Sequence, residues 1–171
     1  MTNVVIASAA RTAVGSFGGS FANTPAHDLG STMLRAIIER AGIDASDVSE
    51  TILGQVLTGG QGQNPARQAR VNAGLPIESA ARSNNQVCGS GLRAVALGAQ
   101  HIQLGDADIV AAGGQDNMSM RPHVANLRQG HKMGDMGFID SVIKDGLWAA
   151  FNGWHMGQSA ANVAERWQIA R

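Results

Sequence analysis

Apolar residues in the first two thirds of the chain alternate between short unbroken runs and positions spaced as on one face of a helix. The unbroken runs predict buried strands at residues 4–10, 51–57, 80–87 and 109–112. Helical spacing predicts three helices: one from His27-Asp28 to Gly42, one from Asn64-Pro65 to Gly74, and one from Leu92 to Leu104. Strands alternating with helices in this way favour an α/β domain with a mainly parallel sheet covered on both faces.

The pattern changes near Gln115, where regular periods give way to scattered methionines, histidines and tryptophans. We therefore predict an α/β domain at residues 1–117 and a loop-rich segment at residues 118–171. Long irregular segments in compact proteins are often functional, although methionines also serve there as adaptable packing. Residues 159–171 have the spacing of an amphipathic helix.

Cys88 is the chain's one cysteine and lies between a predicted strand and a predicted helix. A thiol at such a turn lies beside the positive end of the helix dipole, where unpaired backbone N–H groups stabilise a thiolate. Small residues follow it at positions 89–91 and leave room for a large substrate. Cys88 is therefore a candidate nucleophile, in the manner of other nucleophile elbows. The alternative is a small buried apolar residue, as most lone cysteines are.

Charge and composition narrow the classes of partner. The 13 basic and 13 acidic residues balance, so the positive surplus of a nucleic-acid-binding protein is missing. No apolar run approaches the roughly 18 residues of a membrane span, and the first residues show no basic leader. We expect a soluble cytoplasmic protein without a nucleic-acid or membrane partner.

Cysteine and histidine usage argues against two kinds of site. A single cysteine excludes an internal disulfide, which fits a reducing compartment. The five histidines show no paired ligand spacing, so no metal site is expected. Glycine is frequent, with 22 of 171 residues, and this frequency predicts many tight turns and close backbone approaches.

Several stretches, in order along the chain, resemble one known family. They are IASAARTAVGSFGG at 6–19, GQVL at 54–57 with GQNPARQ at 62–68, NQVCGSGLRAVALG at 85–98, and IKDGL at 143–147 with GWHMG at 153–157. Together they resemble the N-terminal part of the thiolases, especially of those that make or cleave acetoacetyl-CoA. The resemblance implies a layered thiolase-like fold, in which an N-terminal α/β domain is followed by the start of a loop domain over coenzyme A. The C-terminal half of that fold is expected to lie outside these residues.

The chemistry that this resemblance implies is acyl transfer through Cys88. The thiolate would attack acetyl-CoA, or acetoacetyl-CoA in the cleaving direction, and form an acetyl-Cys88 intermediate in a ping-pong scheme. The backbone N–H of Cys88 would stabilise the oxyanion. The substrates are acetyl-CoA, acetoacetyl-CoA and coenzyme A, and no separate cofactor is expected.

The GWHMG stretch resembles the thiolase segment that packs against the pantetheine and acyl end of coenzyme A. The resemblance therefore implies substrate contacts for Leu147, His155 and Met156. For His155 a purely structural role stays open as an alternative. Two departures from the family pattern put the acyl chain length in doubt. Asn84 stands where methionine is common, and GGQDNMS at 113–119 replaces GGMESMS.

The remaining thiolase groups are absent from these residues. The histidine of a Gly-His-Pro motif, the cysteine of a Cys-x-Gly motif and the asparagine of an Asn-Glu-Ala-Phe motif do not occur. We therefore expect the 171 residues alone to be inactive or nearly so. They would work as a homo-oligomer, a dimer of dimers in the intact family, or with a complementary C-terminal half. The alternatives are a thiolase for longer 3-oxoacyl-CoA, a coenzyme A-binding or assembly fragment without turnover, and, less favoured, a ketoacyl synthase relative.

Overall fold

The computed structural model describes residues 3–170, and contacts divide the chain into two compact units at Met120/Arg121. The sequence predicts a domain boundary a few residues earlier, after residue 117. The assignment of the second segment to a loop domain over coenzyme A stays a prediction.

The first unit contains three helices and three strands in alternation. They are α1 (Ala26–Ala41), β1 (Glu50–Gly54), α2 (Pro65–Asn72), β2 (Ala80–Asn84), α3 (Ser90–Leu104) and β3 (Val110–Gly114). The strands form one parallel sheet in the order β2-β1-β3, with Glu50 level with Ala80 and with Val110. The predicted α/β class and parallel sheet are confirmed.

Both faces of this sheet are covered by helices, as the sequence predicts. On one face Leu53 of β1 and Ala111 of β3 pack against residues of α1 and α2, the buried ones being Leu34, Ala66 and Ala69. On the other face α3 lies against β1 and β3. Gly98 of α3 comes so close to Val110 that an added Cβ would lie 3.0 Å from its Cγ1. The cluster of buried apolar residues therefore lies between the sheet and the α1–α2 pair, while α3 covers the other face.

Two polar clusters tie the helices to the sheet. Arg70 of α2 is fully buried and donates to Thr51 Oγ1 at 2.8 Å and to Val48 O at 2.9 Å. Its burial lowers the pKa of the guanidinium. Glu50 on β1 pairs with Arg82 Nε at 3.0 Å and with His101 Nδ1 at 2.7 Å. The second cluster fixes the C-terminal half of α3 to the starts of β1 and β2.

Helix boundaries follow the predicted signals at most ends. Gly42 and Gly105 end α1 and α3 in the left-handed conformation, with φ of 66° and 79°. Asn64 caps α2 by accepting from Arg67 N, with Pro65 at the first helical position. The predicted His27-Asp28 cap of α1 is wrong. The cap residue is Pro25, and Asp28 lies inside the first turn. Its negative charge there interacts favourably with the positive end of the helix dipole.

The strand predicted at residues 4–10 does not form among the described residues. This segment is extended but unpaired, and the side chains of Val5 and Ile6 are each 79% exposed. It is held to α1 instead, through Ser8 Oγ on Ile37 O and Arg40 on Ala9 O. Between it and the edge strand β3 is an open, mainly apolar cavity of about 1460 Å³, which both of them line. Without a neighbouring strand the apolar run lacks the ladder hydrogen bonds that define a strand.

The other strands differ from prediction at their C-terminal ends, where side chains take over the hydrogen bonding. β1 stops at Gly54, before the predicted residue 57, because the Asp116 carboxylate accepts from Val56 N and Leu57 N. β2 stops at Asn84 rather than at residue 87. β3 runs through Gly113-Gly114, which the prediction excluded, because its pairing with Leu53 and Gly54 continues there.

The second unit consists of short elements and one helix. They are β4 (His123–Val124), β5 (Ile139–Asp140), a π-helical segment (Val142–Leu147), β6 (Trp148–Ala149), β7 (Trp154–His155) and α4 (Met156–Trp167). The strands pair as two antiparallel hairpins, β4 with β5 and β6 with β7. The helix predicted at 159–171 is present but begins at Met156, because His155 caps it. Arg171 lies outside the described residues.

No helix between residues 3 and 170 combines the length and the apolar character that crossing a bilayer requires.

Gly54 is a position in the first unit where neighbouring backbone atoms leave no room for a side chain. An added Cβ would lie 2.6 Å from Gly91 N and in closer overlap with the Ser90 carbonyl. We expect Gly54→Ala to destabilise the chain by about 1–3 kcal/mol, because backbone atoms must shift to make room. Urea unfolding of the purified chain measures this loss.

Gly137→Ala is the matched control, since nothing lies within 4 Å of its added Cβ and its φ is not in the left-handed region. Its effect should stay within about 0.5 kcal/mol. Equal stability of the two variants would contradict the close approach of α3 to β1.

Candidate active site

Cys88 lies between the end of β2 and the start of α3 and is exposed to solvent. The alternative interpretation of Cys88 as a small buried apolar residue is therefore wrong for the described structure. Gly89 precedes the first helical residue and Arg93 N donates to Gly89 O at 2.8 Å. The predicted strand-to-helix location is confirmed, with a short turn in place of the last strand residues.

Two overlapping backbone turns carry Cys88 from the strand to the helix. Gly89 N donates to Gln86 O and Ser90 N donates to Val87 O, both at 3.1 Å. Val87 has a φ of 50°, in the left-handed region. A β-branched residue rarely adopts this conformation, so the turn before the thiol is strained.

Side chains of Asn85 and Ser90 hold this strained turn. Asn85 Oδ1 accepts from Val87 N at 2.8 Å. Ser90 Oγ donates to Val87 O at 2.6 Å and accepts from Gln86 N at 2.8 Å. Both peptide groups that flank Val87 therefore have a side-chain partner.

Further contacts join the turn to the loop after β1 and the end of β2 to the start of α3. Asn85 Nδ2 donates to Val56 O at 3.3 Å, and Asn84 Nδ2 donates to Ser90 O at 3.0 Å. Asp116, after β3, holds the same loop by accepting from Val56 N. The carboxyl ends of all three parallel strands thus support one short segment around Cys88, as ligand sites in α/β sheets commonly are supported.

Several of these supporting residues have no functional assignment from the sequence. Asn85, Ser90 and Asp116 lie within the quoted motifs, but neither hydrophobic period nor charge distinguishes them. The one signal that could have found them is their type. Asn, Ser and Asp commonly bond nearby backbone groups in turns, and here they follow the ends of parallel strands.

Residues at both departures from the family pattern make side-chain hydrogen bonds within the fold. Gln115 Nε2 donates to Gln55 Oε1 at 2.9 Å, and Asn117 Nδ2 donates to Phe21 O and Thr24 O. Asn84, as described, holds the first turn of α3. The polarity of these residues is therefore used at least in part within the fold.

The three predicted coenzyme A contacts lie together in the second unit. Trp148 of β6 is level with His155 of β7, and Leu147 and Met156 are the residues directly before Trp148 and directly after His155 in the chain. His155 and Met156 are exposed, and Leu147 is half-buried. Leu147 also ends a π-helical segment, a feature frequent at functional sites.

His155 has a structural function whatever else it does. Its Nδ1 accepts from Gly157 N at 3.0 Å and so caps α4. With Nδ1 as acceptor, the neutral ring carries its proton on Nε2, which is free to face a ligand. Contact of Leu147, His155 and Met156 with coenzyme A stays a prediction. Cys88 belongs to the first unit and these three to the second.

Within residues 3–170 no group of three or more His, Cys, Asp or Glu side chains could hold a metal ion.

Comparison with known proteins agrees with this arrangement of motifs. A family model described as "Thiolase, N-terminal domain" matches residues 4–171. An acetyl-CoA acetyltransferase of Paracoccus denitrificans is 67% identical over 171 residues, which is 100% of this chain and 44% of the relative. An acetyl-CoA acetyltransferase of Rhizobium meliloti (strain 1021) is 62% identical, over 99% of this chain and 43% of the relative.

A relative from Rattus norvegicus, named "Acetyl-CoA acetyltransferase, cytosolic", is 53% identical over 98% of this chain and 42% of its own length. The chain thus spans less than half the length of these relatives. The match with the family model extends through both compact units and includes the turn around Cys88. The chain belongs to the thiolase family and corresponds to its N-terminal domain.

Proposed function

We propose that this chain supplies the nucleophile of a thiolase that interconverts two acetyl-CoA with acetoacetyl-CoA and coenzyme A. The observation that carries the proposal is the exposed Cys88 in a strained, side-chain-held turn at the start of α3. Relatives named acetyl-CoA acetyltransferase, similar over all or nearly all of the chain, support this reaction over other acyl transfers.

The proposed first step is attack of the Cys88 thiolate on the carbonyl carbon of acetyl-CoA. The Sγ–C bond forms, the C–S bond to coenzyme A breaks, and the leaving thiolate takes a proton, which leaves acetyl-Cys88. In the second step a base from the remainder of the thiolase takes a Cα proton from another acetyl-CoA. The carbanion attacks the acetyl-Cys88 carbonyl, the C–C bond forms and the Sγ–C bond breaks, which gives acetoacetyl-CoA and the Cys88 thiolate. Cleavage of acetoacetyl-CoA is the reverse.

A backbone donor for the oxyanion is proposed at Cys88 N–H. The next two amides are engaged, Gly89 N with Gln86 O and Ser90 N with Val87 O. A donor at this position, held in a fixed turn, needs no reorganisation when the carbonyl oxygen becomes negative.

Turnover is proposed to need thiolase residues beyond these 171. The acid and base groups that the family resemblance leads us to expect are not in the sequence, which has one cysteine. The apolar cavity between residues 3–17 and β3 supports the same view, because Val5 and Ile6 beside it are exposed apolar side chains of the kind that a partner segment covers. The remainder of a thiolase, in the same chain or as a complementary half, is the proposed cover.

Leu147, His155 and Met156 are proposed to contact the pantetheine and acyl end of the substrate. Their position at one end of the β6–β7 hairpin, with Met156 exposed, supports a shared contact surface. Coenzyme A thioesters are the only small molecules this reaction requires, so we propose no further cofactor.

Acetoacetyl-CoA is favoured over longer 3-oxoacyl-CoA as substrate. The side-chain amide nitrogens of Asn84, Gln115 and Asn117 donate within the fold, whereas Asn84 Oδ1 and Gln115 Oε1 are buried and accept no hydrogen bond there, so the polarity of these residues does not decide the chain length. The names of the relatives agree with the shorter substrate. A homotetrameric assembly and a cytoplasmic location are proposed from the family resemblance, the second supported by the cytosolic rat relative.

The test is a chimera in which residues 1–171 are followed by the remainder of the Paracoccus denitrificans relative. We expect the chimera to cleave acetoacetyl-CoA, and Cys88→Ala to lower kcat/KM at least about 10³-fold because the nucleophile is lost. The 171 residues alone should show no turnover. The alternative of a coenzyme A-binding fragment predicts the same result for the 171 residues. The spectrophotometric thiolysis assay measures all three.

Full activity of the chimera with Cys88→Ala would refute the assignment of the nucleophile. Turnover by the 171 residues alone, lost in Cys88→Ala, would show that these residues hold acid and base groups of their own. A chimera that prefers longer 3-oxoacyl-CoA would overturn the substrate assignment and leave the nucleophile in place.

Met156→Ala tests the proposed substrate contact in the same chimera. We expect KM for acetoacetyl-CoA to rise about 10-fold with little change in kcat, because an apolar contact made equally in ground and transition states is removed. Met133→Ala is the control, since Met133 is 91% exposed and has no proposed role. Equal KM values for the two variants would remove Met156 from the site.

A further inference from the structure

The structure assigns a positioning role to Ser90, with Asn85 as its helper. Ser90 holds the Val87–Cys88 peptide and Asn85 holds the preceding peptide, so that the Cys88 N–H faces the oxyanion. This inference rests on the proposed function and adds residues that act through the backbone rather than on the substrate.

The first step of the argument is the strain at Val87. Its φ of 50° is one of three positive values among non-glycine residues in the described chain, and it is the only one of the three on a β-branched residue. A β-branched residue left to itself returns to negative φ, so surrounding contacts must hold it in place.

The second step is the identity of those contacts. Val87 O accepts from both Ser90 Oγ at 2.6 Å and Ser90 N at 3.1 Å. Val87 N donates to Asn85 Oδ1 at 2.8 Å. Ser90 is 4% exposed, so its hydroxyl bonds are shielded from competing water, whereas Asn85 is exposed. Ser90 is therefore the stronger restraint.

The third step is the geometry of the peptide that joins Val87 to Cys88. In a trans peptide the C=O and the N–H point in opposite directions, and the described chain has no cis peptide bond. Because Ser90 holds Val87 O on the side of the first turn of α3, the Cys88 N–H points away from that turn. Without the Ser90 hydroxyl, Val87 O would keep only the longer bond from Ser90 N at 3.1 Å, so the peptide would rotate more readily and turn the donor away.

The test compares two reactions of Cys88 that differ in their need for an oxyanion donor. Acetyl transfer passes through a tetrahedral oxyanion, whereas alkylation by iodoacetamide does not. In the chimera we expect Ser90→Ala to lower kcat for acetoacetyl-CoA cleavage about 10- to 100-fold with KM within about threefold, because the loss of an oxyanion donor acts mainly on the transition state. The rate of Cys88 alkylation should stay within about threefold of that of the unchanged protein.

A second substitution tests whether Ser90 acts through the strain at Val87. Glycine adopts positive φ without penalty, so in a Val87→Gly background Ser90→Ala should lower kcat no more than about threefold. If Ser90→Ala does not fold, Asn85→Ala replaces it as the test, because Asn85 is exposed. This variant should also lower kcat. Ser46→Ala is the matched control, since Ser46 is exposed and lies in the turn after α1.

A measurement on the 171-residue chain itself separates this inference from the proposed function. The intraresidue amide-to-Hα cross-peak of Val87 is strong when φ is positive, and we expect it to weaken in Ser90→Ala. An unchanged cross-peak, or alkylation that falls in parallel with kcat, would overturn the lock. A different result would overturn the proposed function instead. In that result Val87 keeps its positive φ but the chimera without substitutions is inactive, so the lock has no catalytic purpose.

Discussion

The close approach of α3 to the carboxyl ends of β1 and β3 is the constraint on which the site depends. An added Cβ at Gly54 would overlap the backbone of Ser90 and Gly91, and one at Gly114 would lie 3.3 Å from Gly91 Cα. Glycines at these points let the first turn of the helix lie directly on the strand ends. That contact fixes where the segment from residue 85 to residue 89 must turn, and therefore where Cys88 is exposed. At its other end α3 is anchored by Glu50 and His101.

The turn itself shows how a strained residue can be maintained by short-range polar contacts. Val87 is unfavourable in the left-handed region, yet its peptide groups are bonded by Asn85 and Ser90, and Asn85 is in turn bonded to the loop after β1. Asp116 holds that loop from the end of β3. Three strands of one sheet thus contribute to the placement of a single thiol, which is the kind of support that catalytic groups need to act without reorganisation.

Much of the fold could be predicted from the sequence because its signals are local. Unbroken apolar runs identify buried parallel strands, and Gly42, Pro65 and Gly105 mark helix ends through their own backbone preferences. The segment at residues 4–10 could not be predicted in the same way. Whether an apolar run becomes a strand depends on a neighbour elsewhere, and the described chain places a cavity there.

The candidate site shows the same division between local and non-local signals. Cys88 could be identified from its position between a strand and a helix and from the motif around it. Ser90 and Asn85 could not, because their role arises from hydrogen bonds to Val87 that no sequence period reveals. The sequence likewise does not identify Arg70 as a core residue. Arginines are mostly exposed, and its burial depends on its bonds to Thr51 and Val48.

The most direct test of the account is the location of the acetyl group during turnover. Acetyl-CoA is mixed with the chimera, the reaction is quenched in acid, and the digested protein is analysed by mass spectrometry. The account predicts an acetyl thioester, removable by neutral hydroxylamine, on the peptide that contains Cys88, and none in Cys88→Ala. An acetyl group on another residue in an active chimera would contradict the central claim, as would turnover in which no acetylated protein accumulates under any quench time.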